Sequence, residues 1–250
     1  MALVDEMQLQ GSWLFRWRSY VPIALLAILL PPSLLGLHWP FGSYGFHNVW
    51  ELVCLAVSLL GLAIRCATVG FVPAGTSGRG TTKLSAKALN TTGLYSVVRH
   101  PVYFGNYLVG LGVTLVWFDW WAPVIYSLCF WLYYERIMIA EEQYLLNQYG
   151  NEFLRWAKDT PSFIPSPSQF TRWERPALPF SFVSTVRREY STLVLVVALH
   201  AGMEAIENYW IGGRLSFGRE WGSVLSCTLA LYALLAMLKK RTRALKVSGR

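Results

Sequence analysis

Gly93-Leu94-Tyr95-Ser96-Val97-Val98-Arg99-His100-Pro101-Val102-Tyr103-Phe104-Gly105 opens the stretch whose reading decides the fold. The stretch passes through two apolar runs to Glu141-Glu142-Gln143-Tyr144-Leu145. It closes with Tyr149-Gly150-Asn151-Glu152-Phe153 and Pro161-Ser162-Phe163-Ile164-Pro165. Charged and ring-bearing side chains therefore sit directly against apolar runs of membrane grade. Ionisable groups are costly in that setting, so they mark a site of function.

The rest of the chain agrees with a membrane setting. Hydrophobic residues make up 54% of it and charged residues only 14%, too few to coat a soluble protein of this size. The 12 Trp and 13 Tyr suit rings lying at membrane–water boundaries. Apolar run lengths predict six spans: Tyr20–Leu37, Val49–Val69, Val102–Trp117, Trp120–Ala140, Thr192–Ile211 and Trp221–Leu238. The expected fold class is all-α, a polytopic transmembrane helical bundle. Arg16 and Arg18 precede a run broken by Pro31-Pro32 with no small-residue cleavage pattern, so no cleavable signal peptide is expected.

Charge placement orients the chain. Of its 22 Lys and Arg, only Arg214 and Arg219 fall on one side of the expected spans. The bias puts both termini, Arg99 and Glu141 in the cytoplasm. A net charge of +8 then reflects cationic faces against anionic headgroups, and the scattered basic residues do not predict a nucleic-acid partner. Cys54, Cys66, Cys129 and Cys227 lie inside expected spans without CxxC spacing and read as free thiols.

Four parts are expected: 1–70 with two spans, 71–165 as the core, 166–190 as a proline-rich linker, and 191–250 as a last hairpin with a basic tail. Lys83–Leu89 could add an interfacial helical turn before the Asn90-Thr91-Thr92-Gly93 turn signal.

In the core, Pro101 stands where a helix begins, since its missing N–H is not needed there. Arg99 and His100 then flank the mouth of the third span. Gly105 and Gly112 share a helix face, which on its own reads as close packing of small residues. Glu141 and Glu142 are expected to end the fourth span. The hairpin brings them back to the side of Arg99 and His100, forming a cytoplasmic pocket of glycines, rings and carboxylates.

This ordered set resembles the isoprenylcysteine carboxyl methyltransferase and phospholipid methyltransferase superfamily of integral-membrane enzymes. The resemblance rests on Arg99-His100-Pro101-x-Tyr103-x-Gly105, Gly110-Leu111-Gly112, Glu141-Glu142, the Tyr149–Phe153 element and Phe163-Ile164-Pro165, roughly residues 80 to 165. It implies S-adenosylmethionine as methyl donor, bound at Tyr95, His100, Pro101, Tyr103, Gly105, Gly110, Gly112, Glu141 and Glu142. It also implies catalytic roles for Arg99, His100 and Glu142, and a membrane lipid or lipidated acceptor arriving from the bilayer. Ring faces at Tyr103, Tyr107 and Trp131 suit a sulfonium cation.

The carboxylate-methylating branch carries a basic residue where this chain has Asp159, so an anionic acceptor should be repelled there. Arg136, Arg155 or Lys158 could compensate. His200, Glu204 and Glu207 share one face of the fifth span and suggest a polar cluster with Glu51 or Arg214, ahead of a metal site. Two other classes stay open: a membrane reductase using NADPH, with sterol-reductase-like architecture, and a non-enzymatic membrane protein. Transport lacks support, because no inverted repeat is visible.

Overall fold

The computed structural model describes residues 2–18, 20–35, 44–73, 76, 86–242 and 247. They form helices, turns and loops, with no strand among the described residues. The helices are α1 (Leu3–Trp17), α2 (Val21–Leu35), α3 (Tyr44–Gly70), α4 (Pro101–Leu115), α5 (Trp121–Tyr149), α6 (Asn151–Asp159), α7 (Phe182–Gly212) and α8 (Arg219–Arg241).

Among the described helices, α3, α7 and α8 are long and apolar enough to cross a membrane. The other expected crossings are less simple. α4 has 15 residues, about 22 Å at ~1.5 Å per residue, short of a hydrocarbon core of roughly 30 Å. α5 has the length, with 29 residues, but Glu135 and Arg136 interrupt its apolar run.

Helix boundaries depart from the apolar runs in three places. α5 does not stop at Glu141-Glu142. Glu, Gln and Leu are good helix formers, and the helix continues to Gly150, whose φ of 53° ends it. α7 begins at Phe182, ten residues before its apolar run, after Ser181 accepts a hydrogen bond from the Ser184 N–H. Arg188 and Glu189 therefore ride on a helix and not in a linker. The apolar pattern does not predict α1: it packs along α5, with Tyr133 donating to the Leu14 carbonyl and Arg136 to Gln10. Lys83 to Ser85 of the expected interfacial turn lie outside the described residues, and Ala86–Leu89 form no helix. Gly36 and Leu37 of the first expected span also lie outside them.

α3 and α4 pack closely along a glycine-lined seam. A Cβ on Gly105 would stand 2.6 Å from Arg65 Cγ and 2.7 Å from the Gly61 carbonyl oxygen, so only glycine permits this approach. Trp50 of α3 donates to the Leu115 carbonyl at 2.8 Å and satisfies the end of α4. Ser58 links three helices, donating to Val109 O of α4 at 2.9 Å and meeting His200 Nε2 of α7 at 3.0 Å. α7 thus joins the core through α3, while α8 packs outside it on α7.

Candidate functional site

The motif ends are brought together by backbone pairing. Gly93 adopts φ 64° and starts a 3-10 turn, and its N–H donates to Glu174 O at 2.9 Å. Beyond the turn, the Arg99 N–H donates to Pro161 O at 2.9 Å and the His100 N–H to Ser162 O at 3.0 Å. Pro101 follows as the first residue of α4. Phe163 folds back over the α4–α5 hairpin against Phe104, Phe130 and Trp131. The Arg-His pair and the Phe-Ile-Pro segment are therefore two sides of one ribbon.

On that ribbon the charged side chains interlock. Arg99 Nε donates to Glu142 Oε1 at 2.9 Å, and Nη1 donates to the Ala157 and Thr160 carbonyls at 2.6 and 3.0 Å. The latter contacts satisfy the last turn of α6. His100 places Nε2 2.9 Å from the same Glu142 oxygen and Nδ1 3.5 Å from Glu141 Oε2. Tyr103 donates to Glu141 Oε1 at 2.7 Å and stacks beside the imidazole, its ring inclined at 15° to it. This arrangement requires α5 to continue as helix past Ala140, which is how two adjacent acids reach neighbouring partners.

The environment tunes these groups. Burial opposes charge on His100, but hydrogen bonds to Glu141 and Glu142 outweigh it, and the imidazole pKa is raised. Burial alone would raise Glu142, yet its hydrogen bond with His100 and the charges of His100 and Arg99 bring it below the usual carboxylate range. Burial, with the charge of Glu141, pushes the Tyr95 phenol up. Trp156 of α6 fixes Tyr95 by donating to its carbonyl at 3.0 Å.

A cavity of about 540 Å³ opens beside this cluster, within the roughly 300–1,000 Å³ usual for small-molecule sites. Tyr95, Arg99, His100, Pro101, Tyr103 and Glu141 line one end. Gly110 lines it further along, against the Tyr126 ring. Three sequence candidates do not line it. Gly105 and Gly112 face α3 and serve its close packing. Glu142 stands behind Arg99 and His100. Of the expected rings, Tyr107 stacks on Tyr126 and Trp131 packs on Phe163, neither at the wall.

The cavity is also lined by a second polar cluster, adjoining the first through Tyr134 and Tyr103, that sequence reading missed. Arg65 of α3 pairs with Glu189 of α7, Nε and Nη2 both 2.8 Å from Oε2. Its Nη1 donates to Asn106 Oδ1 of α4, and Asn106 donates to the Tyr134 hydroxyl at 3.2 Å. Arg18 at the end of α1 and Arg188 also line the cavity. The signal was present: an arginine inside an apolar run and a glutamate near the start of another. Arg65 reads as a loop charge when only side-of-membrane totals are counted.

The expected repulsion by Asp159 does not occur in this geometry. Its side chain is 69% exposed, 4.0 Å from Arg172, and outside the cavity. Arg155 and Lys158 lie outside the cavity too, and Arg136 binds Gln10, so none of the three acts there. His200, Glu204 and Glu207 separate to different partners. His200 meets Ser58, Glu207 pairs with His47 at 3.1 Å, and Glu204 accepts from the Gly218 N–H at 3.2 Å. Among the described residues no three His, Cys, Asp or Glu side chains form a metal-binding group. The polar partners of this face are His47 and, through its charge, the expected Glu51, which interacts with Glu204, Glu207 and His47; Arg214 is exposed.

The fold and site define a helical membrane protein with a ring-walled, charged cavity between its helices. Residues 48–152 match the phospholipid methyltransferase family. Protein-S-isoprenylcysteine O-methyltransferase of Schizosaccharomyces pombe is 32% identical over 77 residues, 31% of this chain and 33% of that protein. The nickel-cobalt-cadmium resistance protein NccN of Alcaligenes xylosoxydans xylosoxydans is 32% identical over 166 residues, 62% of this chain and 65% of that protein. The cobalt-zinc-cadmium resistance protein CzcN of Cupriavidus metallidurans is 29% identical over 205 residues, 80% and 83% of the two chains. The chain thus spans about a third of the length of the yeast protein and just under two thirds of NccN. No solved structure matches. The chain is thus similar over residues 48–152 to the phospholipid methyltransferase family, and over part of its length to protein-S-isoprenylcysteine O-methyltransferases.

Proposed function

We propose that this protein transfers a methyl group from S-adenosylmethionine to a lipid or lipidated acceptor, with the donor held at the His100–Glu141 end of the cavity. The observation that carries the reading is the convergence of Arg99, His100, Tyr103 and Glu141 on one cavity wall, with Glu142 bracing it from behind. The site fits the donor chemically. Glu141 offers a carboxylate at the wall for an ammonium or hydroxyl. Tyr95 and Tyr103 offer ring faces beside it for a cation. When bound, S-adenosylmethionine supplies a methyl group on a sulfonium.

The residues of this chain then position the reactants. Glu142 holds His100 and Arg99 still, and Arg99 ties the ribbon to α6, so the donor wall is rigid. Holding two reactants in a near-attack geometry is worth roughly 7–11 kcal/mol, and methyl transfer to an anionic oxygen needs no base. The buried rings Tyr103, Phe130 and Tyr134 keep water from the inner wall, with Tyr134 4.8 Å from Tyr103 and 4.1 Å from Phe130 between ring centroids.

In the same proposal the bundle crosses the membrane with the Arg99 side and both termini in the cytoplasm, where the donor is made. α2 and the α4–α5 hairpin embed beside the three full-length helices. The metal-resistance names of the two bacterial relatives describe those proteins. Here His200, Glu204 and Glu207 keep separate protein partners, so no metal role is assigned to them.

The test is calorimetric titration of purified protein in neutral detergent with S-adenosylmethionine, followed by incubation with labelled donor and a membrane lipid extract. Donor binding and label in the lipid fraction are expected. NADPH binding with no binding of S-adenosylmethionine would overturn the reading in favour of a reductase.

A further inference from the structure

We infer that the exposed rings and bases between Leu154 and Arg175 form a docking surface for the anionic headgroup layer of the cytoplasmic leaflet, and that this contact seats the ribbon carrying Arg99 and His100. The surface rests on the membrane placement proposed above, and its consequence for the donor rests on the methyltransferase reading.

The segment starts and finishes at the ends of expected spans. At its start, Phe163 is buried against Phe104 of α4 and against Phe130 and Trp131 of α5, with ring centroids 5.8, 6.0 and 5.7 Å away. Trp131 shares an exposed face of α5 with Leu128 and Leu132, the face that lipid covers when the hairpin embeds. Ile164, the next residue after Phe163, is 70% exposed. Beyond the far end, the Ser181 N–H donates to the carbonyl of Gly70, the last residue of α3, at 2.9 Å, and Phe180 meets Phe71 with centroids 5.2 Å apart. Between these points Phe170 is 56% and Trp173 43% exposed.

The charges say what covers those rings. Arg155, Lys158, Arg172 and Arg175 stand against Asp159 and Glu174, and all six are exposed. The fold gathers them: Gln169 donates to the Asp159 carbonyl at 2.6 Å, which holds the 3-10 turn Pro167–Arg172 against the end of α6, and Arg172 lies 4.0 Å from Asp159. A pair so exposed contributes little to folding, and the surface keeps an excess of positive charge. Protein-binding surfaces are depleted of Lys, Asp and Glu at their core, whereas here a charge flanks nearly every ring. Rings lying at headgroup level and bases drawn to anionic lipid give this composition directly.

Backbone bonds carry the contact to the site. The Pro161 and Ser162 carbonyls accept from the Arg99 and His100 N–H groups, and the Glu174 carbonyl accepts from Gly93. The Glu174 N–H in turn donates to Ser96 Oγ at 3.1 Å. Residues 161–174 are thus one edge of a clasp whose other edge is 93–100. Headgroups that hold Ile164, Phe170 and Trp173 hold that edge, and with it the backbone from which Arg99 and His100 reach Glu142.

The test reconstitutes the full chain in nanodiscs of phosphatidylcholine alone, and of phosphatidylcholine with a quarter of the lipid replaced by phosphatidylglycerol. Amide hydrogen exchange over 93–100 and 161–177 is the readout, and it needs no activity. Wild type should exchange at least tenfold more slowly in the anionic bilayer, and high salt should remove the difference. Arg155→Gln/Lys158→Gln/Arg172→Gln/Arg175→Gln should match wild type in phosphatidylcholine and gain nothing from the anionic lipid. Phe170→Ser/Trp173→Ser should exchange faster than wild type in both bilayers. S-adenosylmethionine titrated into the same nanodiscs should bind wild type at least threefold more tightly in the anionic bilayer, and the quadruple variant equally in the two. Equal exchange by wild type in both bilayers would overturn the inference and leave a protein partner as the occupant, and an anionic effect surviving in the quadruple variant would overturn it too. Failure of the donor reading shows separately, as no S-adenosylmethionine binding in either bilayer, whatever the exchange data show.

Discussion

Arg99 and His100 reach the same oxygen: Glu142 Oε1 lies 2.9 Å from Arg99 Nε and 2.9 Å from His100 Nε2. One carboxylate oxygen thus holds two consecutive side chains of the ribbon and fixes them to α5. Glu142→Gln keeps the shape and removes the charge. The loss of a charge-assisted contact to partly buried groups should cost about 2 kcal/mol of stability. Methyl transfer should fall at least tenfold, because the donor wall loses its orientation. Denaturant unfolding in detergent and a labelled-donor assay measure the two. Unchanged transfer with lowered stability would reduce Glu142 to a structural brace.

Glu141 has a different job from its neighbour. It lines the cavity, and one of its oxygens is occupied by the Tyr103 hydroxyl at 2.7 Å. Glu141→Gln should weaken S-adenosylmethionine binding about tenfold, equivalent to ~1.4 kcal/mol, with little change in thermal stability. Tyr103→Phe should weaken it less, since the carboxylate remains. Wild-type donor affinity in Glu141→Gln would remove this residue from the donor site.

The coupled groups also set a pH window. The His100 pKa is raised from its ordinary 6.5, so its contribution to stability is complete below 6.5 and is lost as pH climbs through the raised folded value. The Glu142 pKa is lowered from 4.5, so its contribution is complete above 4.5 and is lost as pH falls through the depressed folded value. Both are present together between 4.5 and 6.5, and thermal stability in detergent should be greatest there. His100→Asn should flatten the decline on the alkaline side. Melting temperatures across pH in both proteins decide this, and an identical alkaline decline in the variant would rule His100 out as its source.

Much of this site was legible in the sequence because its motifs are local and ordered. Pro101 marked the start of α4, and Arg99, His100 and the two acids were placed on one side by the hairpin alone. What the sequence hid was set by tertiary contact or by helix propensity beyond the apolar runs. Helix continued through Glu141-Glu142 because Glu, Gln and Leu propagate it, though the apolar run had ended. α1 forms because its Gly11 face packs on Arg136 and Ala140 of α5, a partner more than a hundred residues away. Gly105 and Gly112 resemble donor contacts in the motif and form the seam between α3 and α4 in the fold. Arg65 was visible as a charge within an apolar run. Its partner Glu189 lay in what the apolar pattern marked as linker, and only the early start of α7 joins them.

That seam gives the last prediction. A Cβ on Gly105 would stand 2.6 Å from Arg65 Cγ and 2.7 Å from the Gly61 carbonyl, below any normal contact distance. The methyl of Gly105→Ala must therefore push α4 off α3 or push Arg65 aside. Overpacking of this kind costs about 1–3 kcal/mol. The displaced Arg65 side chain carries its bonds to Asn106 and Glu189 with it, so the cavity wall at Arg65 should suffer more than the wall at His100 and Glu141. The expected result is a lower melting temperature, near-normal S-adenosylmethionine affinity and methyl transfer reduced at least tenfold. Gly112→Ala makes the comparison, since Gly112 meets Ser58 and Cys54 of α3 at a point away from Arg65. It should lower stability to a similar extent and spare methyl transfer. Equal loss of methyl transfer in the two variants would show that the seam acts through general loosening of the bundle and not through Arg65.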